Sequence, residues 1–104
     1  MHHYTNKAGY NAIRSQTSWT FRASKPPGKN PRGAYFTSLD PDHPKLAQKL
    51  RIPKQKIEYV FCFVDNMDLQ PHRGGRGTFI FFHPDDYGVP PERQTRHGNS
   101  RTTP

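Results

Sequence analysis

His3 is the first side chain in this sequence placed to do chemistry. It sits at what reads as the end of a short opening strand, followed by Tyr4 and Thr5. A histidine there can lie beside a ligand at a sheet edge, and a neutral imidazole offers one donor and one acceptor. The His2-His3 pair also fits the remnant of an affinity tag, which would leave His3 without a role. Tyr35 is the second candidate. The loop KPPGKNPRG delivers the chain into AYFTSL, and Gly33 lets the backbone approach a ligand closely. Tyr35 and Phe36 then face opposite sides of a strand, so one can be a stacking platform in a cleft while the other fills the core. The plainer alternative is a pair of packed aromatics. Carboxylates are few. Asp65 and Asp68 follow the most apolar strand, and Asp85 and Asp86 follow a second one. Loops at strand ends carry working carboxylates, although an Asp in a turn often serves only the turn. Cys62 lies in an apolar run and reads as a buried thiol rather than a nucleophile. The six histidines and Cys62 show no metal-ligand spacing, so no metal is expected.

The elements that must position these residues are short. Thr5 or Asn6 can cap a helix over 7–15, with Ala8, Ala12 and Ile13 as its apolar face and Tyr10 beside it. Trp19 and Phe21 alternate with Thr20 and Arg22 in a strand over 18–23. Prolines and glycines make 25–33 a loop, and a strand follows over 34–39. A helix over 45–50 would place Leu46 and Leu50 on one face and end at Pro53. IEYVFCFV, over 57–64, is apolar on both faces and should be a central strand. HRGGRG reads as a second loop and 78–82 as a further strand. The segment 92–98 is a final edge strand or a tail. The pattern fits an α+β domain, a compact, curved, mixed β-sheet with small helices. One domain is expected over 1–98, with 99–104 as a disordered tail.

Composition narrows the function classes. The 104 residues allow one modest core. Hydrophobic residues make up only 31%, so the seven Phe, five Tyr and single Trp must carry much of the buried area. Sixteen Lys and Arg against eight Asp and Glu give a formal charge of +8, which draws the chain to phosphates, polyanions or acidic surfaces. A single cysteine excludes an internal disulfide. No segment approaches the roughly 18 apolar residues of a membrane span, and no secretion signal opens the chain. A GxGxxG turn and the GK[ST] ending of a Walker loop are both missing, which argues against a doubly wound nucleotide fold.

Several blocks taken together resemble the ADP-ribosyltransferase superfamily, and most closely its small toxin-type branch marked by a histidine, a tyrosine and an aspartate. HHYTNKAGYNAI is similar to that branch's opening and places its histidine on His3. RGAYFTSL is similar to its G-x-Y-x-T-S-L segment and places its tyrosine on Tyr35. YVFCFVDNMDL resembles the next strand with its acidic exit, and RQTRHG the closing segment. The resemblance spans nearly the whole chain. It implies a split β-sandwich and an enzyme that breaks the bond between nicotinamide and ribose in NAD, a substrate consumed in the reaction. His3 would then hydrogen-bond the adenosine-side ribose, and Tyr35 would stack on nicotinamide with Phe36 nearby. Backbone at Tyr4 and Thr5 would bind the carboxamide, Gly33 would admit the ligand, and Arg22 or Arg32 would pair with the pyrophosphate. Asp68 would stabilise the charge growing on the ribose. Asp65, Asp85 and Asp86 compete for that role, and Asp68 is favoured because rifampin-modifying members hold their aspartate in a loop soon after the comparable strand. The biglutamate motif of arginine-directed toxins is missing, which puts arginine in doubt as an acceptor.

The expected activity is therefore transfer of ADP-ribose to an acceptor, an acidic protein, a nucleic acid or a small molecule. With water as acceptor the same chemistry makes an NAD glycohydrolase. A toxin of this kind would act in the cytoplasm of the producing or a target cell, with or without secretion as part of a larger protein, and would call for an immunity protein as partner. No membrane partner is expected. A non-enzymatic nucleic-acid-binding domain is the alternative from another class, supported by net charge, RGGRG and aromatic strands. An NAD-using enzyme that removes a 2′-phosphate from RNA is a further, less supported one.

Overall fold

Alternation along the apolar centre of the chain organises the sheet. In β4 (Tyr59–Phe63), Phe61 and Phe63 point to one face, while Val60 and Cys62 point to the other. All four are buried, as a central strand requires. The computed structural model describes residues 1–25, 31–72 and 79–102. Within them β1 (His2–Thr5) lies on one side of β4, and β8 (Gln94–Asn99) lies on the other, at the sheet edge. β3 (Ala34–Thr37), β6 (Ile80–His83) and the two-residue β5 (Gln70–Pro71) extend the sheet beyond β1, in the order β5-β6-β3-β1-β4-β8. β2 (Trp19–Phe21) and β7 (Tyr87–Val89) form a separate two-stranded sheet. The fold class is α+β, as expected. The mixed sheet is not found, because every pairing among the named strands is antiparallel. Parallel neighbours need covering crossovers, usually helical, and the helices here are only eight and five residues long.

The core fills the space between the sheets and is mostly aromatic. Trp19, Phe21, Tyr87 and Val89 meet Ala34, Phe36, Phe61 and Phe63. Edge-on contacts dominate, with Trp19 at 4.9 Å from Phe61 and Phe21 at 5.3 Å from Phe36 between ring centroids. Each such pair adds about 0.5–1.5 kcal/mol beyond the area it buries. A chain this poor in aliphatics thus builds a core from a few large rings.

The helices are pinned at their ends. In α1 (Lys7–Arg14) the Asn6 side chain accepts from the Gly9 amide at 2.9 Å, a capping role that Thr5 does not take. Tyr10 and Ile13 pack on the core, whereas Ala8 and Ala12 are exposed. The expected alanine face is displaced because Tyr10 and Ile13 bury more apolar area from neighbouring positions on the helix. In α2 (Leu46–Leu50) both leucines are buried. Arg51, at φ 55°, closes the helix two residues before Pro53. Ile57 lies in a 3-10 turn (Lys54–Ile57), not on the strand, because the chain after Pro53 turns, with the Lys56 amide bonded to the Pro53 carbonyl.

At the carboxyl-terminal end the sheet continues past residue 98. β8 runs through Asn99, which pairs with Tyr59, and Ser100 is buried with its amide bonded to the Glu58 carbonyl at 2.8 Å. Most of the loop expected at 25–33, the glycine-rich run at 73–77, and the last two residues fall outside the described residues. Among those described, no helix is long and apolar enough to cross a membrane.

Candidate functional site

Two strands part beside the first histidines. β1 pairs with β4 along its whole length, but with β3 only at His2 opposite Thr37. The next positions in that register would set His3 against Phe36 and Tyr4 against Tyr35. Instead the strands diverge, and the His3 imidazole bridges the gap through Nδ1, 3.0 Å from the Tyr35 backbone oxygen. A recess of about 350 Å³ opens there, at the small end of ligand-pocket sizes. It is lined by His2, His3 and Tyr4 of β1, by Tyr35, Phe36 and Thr37 of β3, and by Leu50, Arg51, Ile52 and Lys56 from α2 and the turn after it. Ser24, His72 and Ile80 complete the rim.

The parted edge leaves backbone groups available. Met1 exchanges both its hydrogen bonds with Phe63 of β4, at 2.9 and 3.0 Å. Antiparallel alternation then turns the backbone of His3 and Thr5 toward β4, and that of His2 and Tyr4 toward β3. With β3 parted after one pair, the Tyr4 N–H and C=O point into the recess side. The Tyr4 hydroxyl is spoken for, since it donates to the Leu39 carbonyl at 2.8 Å, and burial holds its pKa above the usual phenol range.

His3 is held neutral and in one tautomer. Its ring lies 4.6 Å from Phe21 and 5.6 Å from Phe36, so the residue is half-buried, with one edge toward the recess. That burial pulls its pKa from 6.5 to about 4, and the bond to the Tyr35 carbonyl offsets only part of the shift. A carbonyl can only accept, so Nδ1 carries the proton. Nε2 is then a lone-pair acceptor, with no protein partner among the described residues. It suits a hydroxyl donor.

Tyr35 and Phe36 divide their work as the strand parity requires. Phe36 is buried in the core and also closes one side of the recess. Tyr35 is half-buried, lines the recess, and stacks on Phe82 at 5.6 Å. Its hydroxyl donates to the Pro31 carbonyl at 2.5 Å, which ties the ring to the segment leading into β3. Gly33 is needed for a reason other than ligand approach. A Cβ there would stand 2.6 Å from the His83 carbonyl oxygen and 3.0 Å from the Phe82 ring, so its bareness serves the contact of β3 with β6. Gly33 and Thr5 do not line the recess, and neither does Arg22 or Arg32, both exposed.

None of the four competing acids lines the recess. Asp65 closes its own turn by accepting from the Met67 amide at 3.0 Å. Asp86 accepts from the Ala23 amide at 2.7 Å, and Asp85 meets His83 through its backbone. Asp68 accepts from the Tyr87 hydroxyl at 2.5 Å, and Arg93 donates to the same hydroxyl at 2.7 Å. Tyr87 packs 5.2 Å from Phe36, so Asp68 stands one side chain behind the recess wall.

No residue pattern marks what His2 does. It is buried, with Nδ1 3.1 Å from the Cys62 Sγ and Nε2 2.9 Å from the Asp40 carboxylate. With Nε2–H donated to Asp40, Nδ1 accepts from the thiol. Cysteine, histidine and carboxylate in line is the arrangement of a nucleophilic array. Here the thiol is 3% exposed, burial pushes its pKa up, and it does not line the recess. No substrate carbon can reach it, so the buried thiol expected from the sequence is what the fold contains. Burial first, and then the amino terminus, also lower the pKa of His2, while Asp40 opposes them. Both histidines belong to β1 and to its contacts, unlike a tag remnant. Arg51 and Lys56, the exposed cations of the recess, were likewise missed; the only signal was an acid-free basic run.

No family model matches the chain, and neither a curated protein nor a solved structure matches it. Among the described residues no group of His, Cys, Asp and Glu could hold a metal ion.

Proposed function

We propose that this protein cleaves NAD between nicotinamide and ribose and transfers the ADP-ribosyl group to an acceptor. The observation that carries the reading is the parting of β1 from β3, bridged by the ring of His3 and the carbonyl of Tyr35 above one recess. It supports the resemblance because both signature residues line one opening, although they lie 32 positions apart. The recess also suits a dinucleotide chemically. It combines a hydroxyl acceptor, aromatic faces, an unpaired strand edge and two exposed cations.

In this reading NAD is the substrate, and its C–N glycosidic bond breaks with the electron pair leaving on nicotinamide. His3 Nε2 accepts a ribose hydroxyl and fixes the dinucleotide. Tyr35 offers its ring to nicotinamide, and the Tyr4 backbone edge bonds the carboxamide. Arg51 and Lys56 take the pyrophosphate in place of Arg22 or Arg32, since they line the recess. Asp68, the acid this reading assigns to the cationic ribosyl carbon, does not line the recess and would act on it only from behind Tyr87, whose hydroxyl it shares with Arg93. Water as acceptor would give NAD glycohydrolase activity by the same steps.

The test is nicotinamide release from NAD by purified protein, with NAD binding measured in parallel. Tyr35→Ala, verified as folded by circular dichroism, should lower release about a hundredfold, the usual scale for losing one positioning or stabilising group. His3→Gln should weaken NAD binding. Wild-type protein that neither binds NAD nor releases nicotinamide would remove the proposal.

A further inference from the structure

The recess is bordered by a cationic run that the NAD chemistry does not use up. From 45 to 56 the chain carries Lys45, Lys49, Arg51, Lys54 and Lys56 with no acid between them. All five are exposed, and among the described residues none forms an ion pair. Leu46 and Leu50 are buried and anchor α2, which leaves Lys45 and Lys49, one turn apart, on its solvent side. The 3-10 turn that carries Lys54 and Lys56 packs beside β1. The run therefore follows a fixed piece of backbone, not a tail. Arg51 and Lys56 reach the recess itself, while Lys45, Lys49 and Lys54 lie outside its lining. Concentrating five like charges without counter-charge costs stability through self-repulsion, and a polyanionic partner would relieve it.

We infer that the acceptor is a single-stranded nucleic acid, seated with its phosphates along Lys45, Lys49 and Lys54 and one base brought to the mouth of the recess that NAD fills. The inference rests on the NAD-splitting reading above. An acidic protein could also meet the lysines, but the recess favours a nucleotide. Its lining includes His72, whose ring meets Tyr35 edge-on at 5.7 Å and Phe82 edge-on at 6.0 Å and adds an aromatic surface beyond the ring that Tyr35 offers to nicotinamide. Aromatic faces beside a basic track are how proteins hold unpaired strands, because bases stack and carboxylate side chains do not. In the transfer, a base nitrogen of the strand supplies the electron pair for a new bond to the ribosyl carbon. The bond from that carbon to nicotinamide breaks, nicotinamide leaves neutral with the bonding pair, and the proton of the attacking N–H passes to solvent.

The experiment has three readouts on the same purified protein. Fluorescence anisotropy follows a labelled 20-nucleotide strand, as RNA and as DNA, across a salt series without NAD. Nicotinamide release is measured without nucleic acid. Transfer from NAD labelled in its adenylate is scored onto RNA, DNA, duplex DNA and an acidic protein such as casein. The variant is Lys45→Glu/Lys49→Glu/Lys54→Glu, which leaves the recess lining intact. Binding of the strand by wild-type protein should fall with salt. In the variant the slope of log affinity against log salt should lessen by about 2, because each lost phosphate contact removes about 0.7. Nicotinamide release without nucleic acid should stay unchanged, and label should move to RNA or DNA only in the wild type. Equal strand binding by variant and wild type would overturn the inference, as would label moving only to casein or only to water. If nicotinamide is not released and NAD is not bound, the NAD reading fails and the acceptor assignment falls with it, while the anisotropy series still separates a basic binding track from none. RNA against DNA in the transfer arm identifies which strand is used.

Discussion

Acidification from pH 7 to pH 4 is predicted to remove about 2–3 kcal/mol of stability through His3 alone. The folded protein holds that ring against Phe21 and Phe36, and burial lowers its pKa from 6.5 to about 4. Above pH 6.5 neither folded nor unfolded chain protonates His3, and the full stability is present. Between pH 6.5 and pH 4 only the unfolded chain takes the proton, so the unfolded state gains with each step down. Below pH 4 both states are protonated and the loss levels off. The interval of about two and a half pH units corresponds to about 3.5 kcal/mol in full, at about 1.4 kcal/mol per unit, of which about 3 kcal/mol is lost by pH 4, where the folded chain is itself half-protonated. The lower end of the range allows for the ring edge that faces the recess and keeps some water. A domain holding about 5–15 kcal/mol would register such a change clearly.

Urea unfolding at pH 7, 6, 5 and 4 would measure it, on wild type and His3→Gln side by side. The slope with pH is the readout, since the variant also loses ring packing at every pH. His2 is shifted in the same direction by burial, so a residual slope of the same sign should survive in the variant. The difference between the two slopes should appear between pH 6.5 and pH 4. Identical slopes would show that the core does not hold His3 neutral, and the acceptor role of its Nε2 would fail with it.

Gly33→Ala should cost about 1–3 kcal/mol in thermal or urea unfolding, because its Cβ would meet the His83 carbonyl at 2.6 Å and β3 must move off β6; an unchanged melting temperature would contradict that packing. Tyr87→Phe removes the hydroxyl shared by Asp68 and Arg93 and should cost about 1.5–3 kcal/mol, the usual worth of a hydrogen bond to a charged group. A urea midpoint equal to wild type would mean the network contributes nothing. Cys62, at 3% exposure, should resist a disulfide reagent in the native protein and react at once in urea, and equal rates in both would place the thiol at the surface.

The parts of the fold that were legible in the sequence are those set by strong local pattern. The run from Tyr59 to Phe63 announces a strand buried on both faces, and Trp19-Thr20-Phe21 announces alternation. Asn6 before Lys7 marks a helix start. β7 was missed because Tyr87-Gly88-Val89 is too short to show a period, and only its pairing with β2 makes it a strand. β5 is two residues long and ends on Pro71, tolerable only at an edge. At the site, a Gly-rich approach to Tyr35 was visible, but the reason for Gly33 was not, because the clash it avoids comes from β6, 50 positions further on. Nor could a charge count show that Arg51 and Lys56, rather than Arg22 and Arg32, face the recess.

The two adjacent histidines show how much of a site depends on the divergence of strands rather than on residue type. On a strand, neighbours point to opposite faces, so His2 and His3 were bound to part company. His2 turns to Cys62 and Asp40, which occupy both of its ring nitrogens. His3 turns to the aromatic core, and would be only another packed ring had β3 stayed beside β1. In a continued ladder the Tyr35 carbonyl would face the Tyr4 amide. Because the strands part, that carbonyl accepts from His3 instead, which fixes the tautomer, aims a lone pair outward and leaves the Tyr4 edge open. One lost strand pair thus supplies three ligand-binding features together. On the proposed NAD reading, a substitution that restored the pairing of β1 with β3 should therefore abolish NAD binding without altering a single recess side chain.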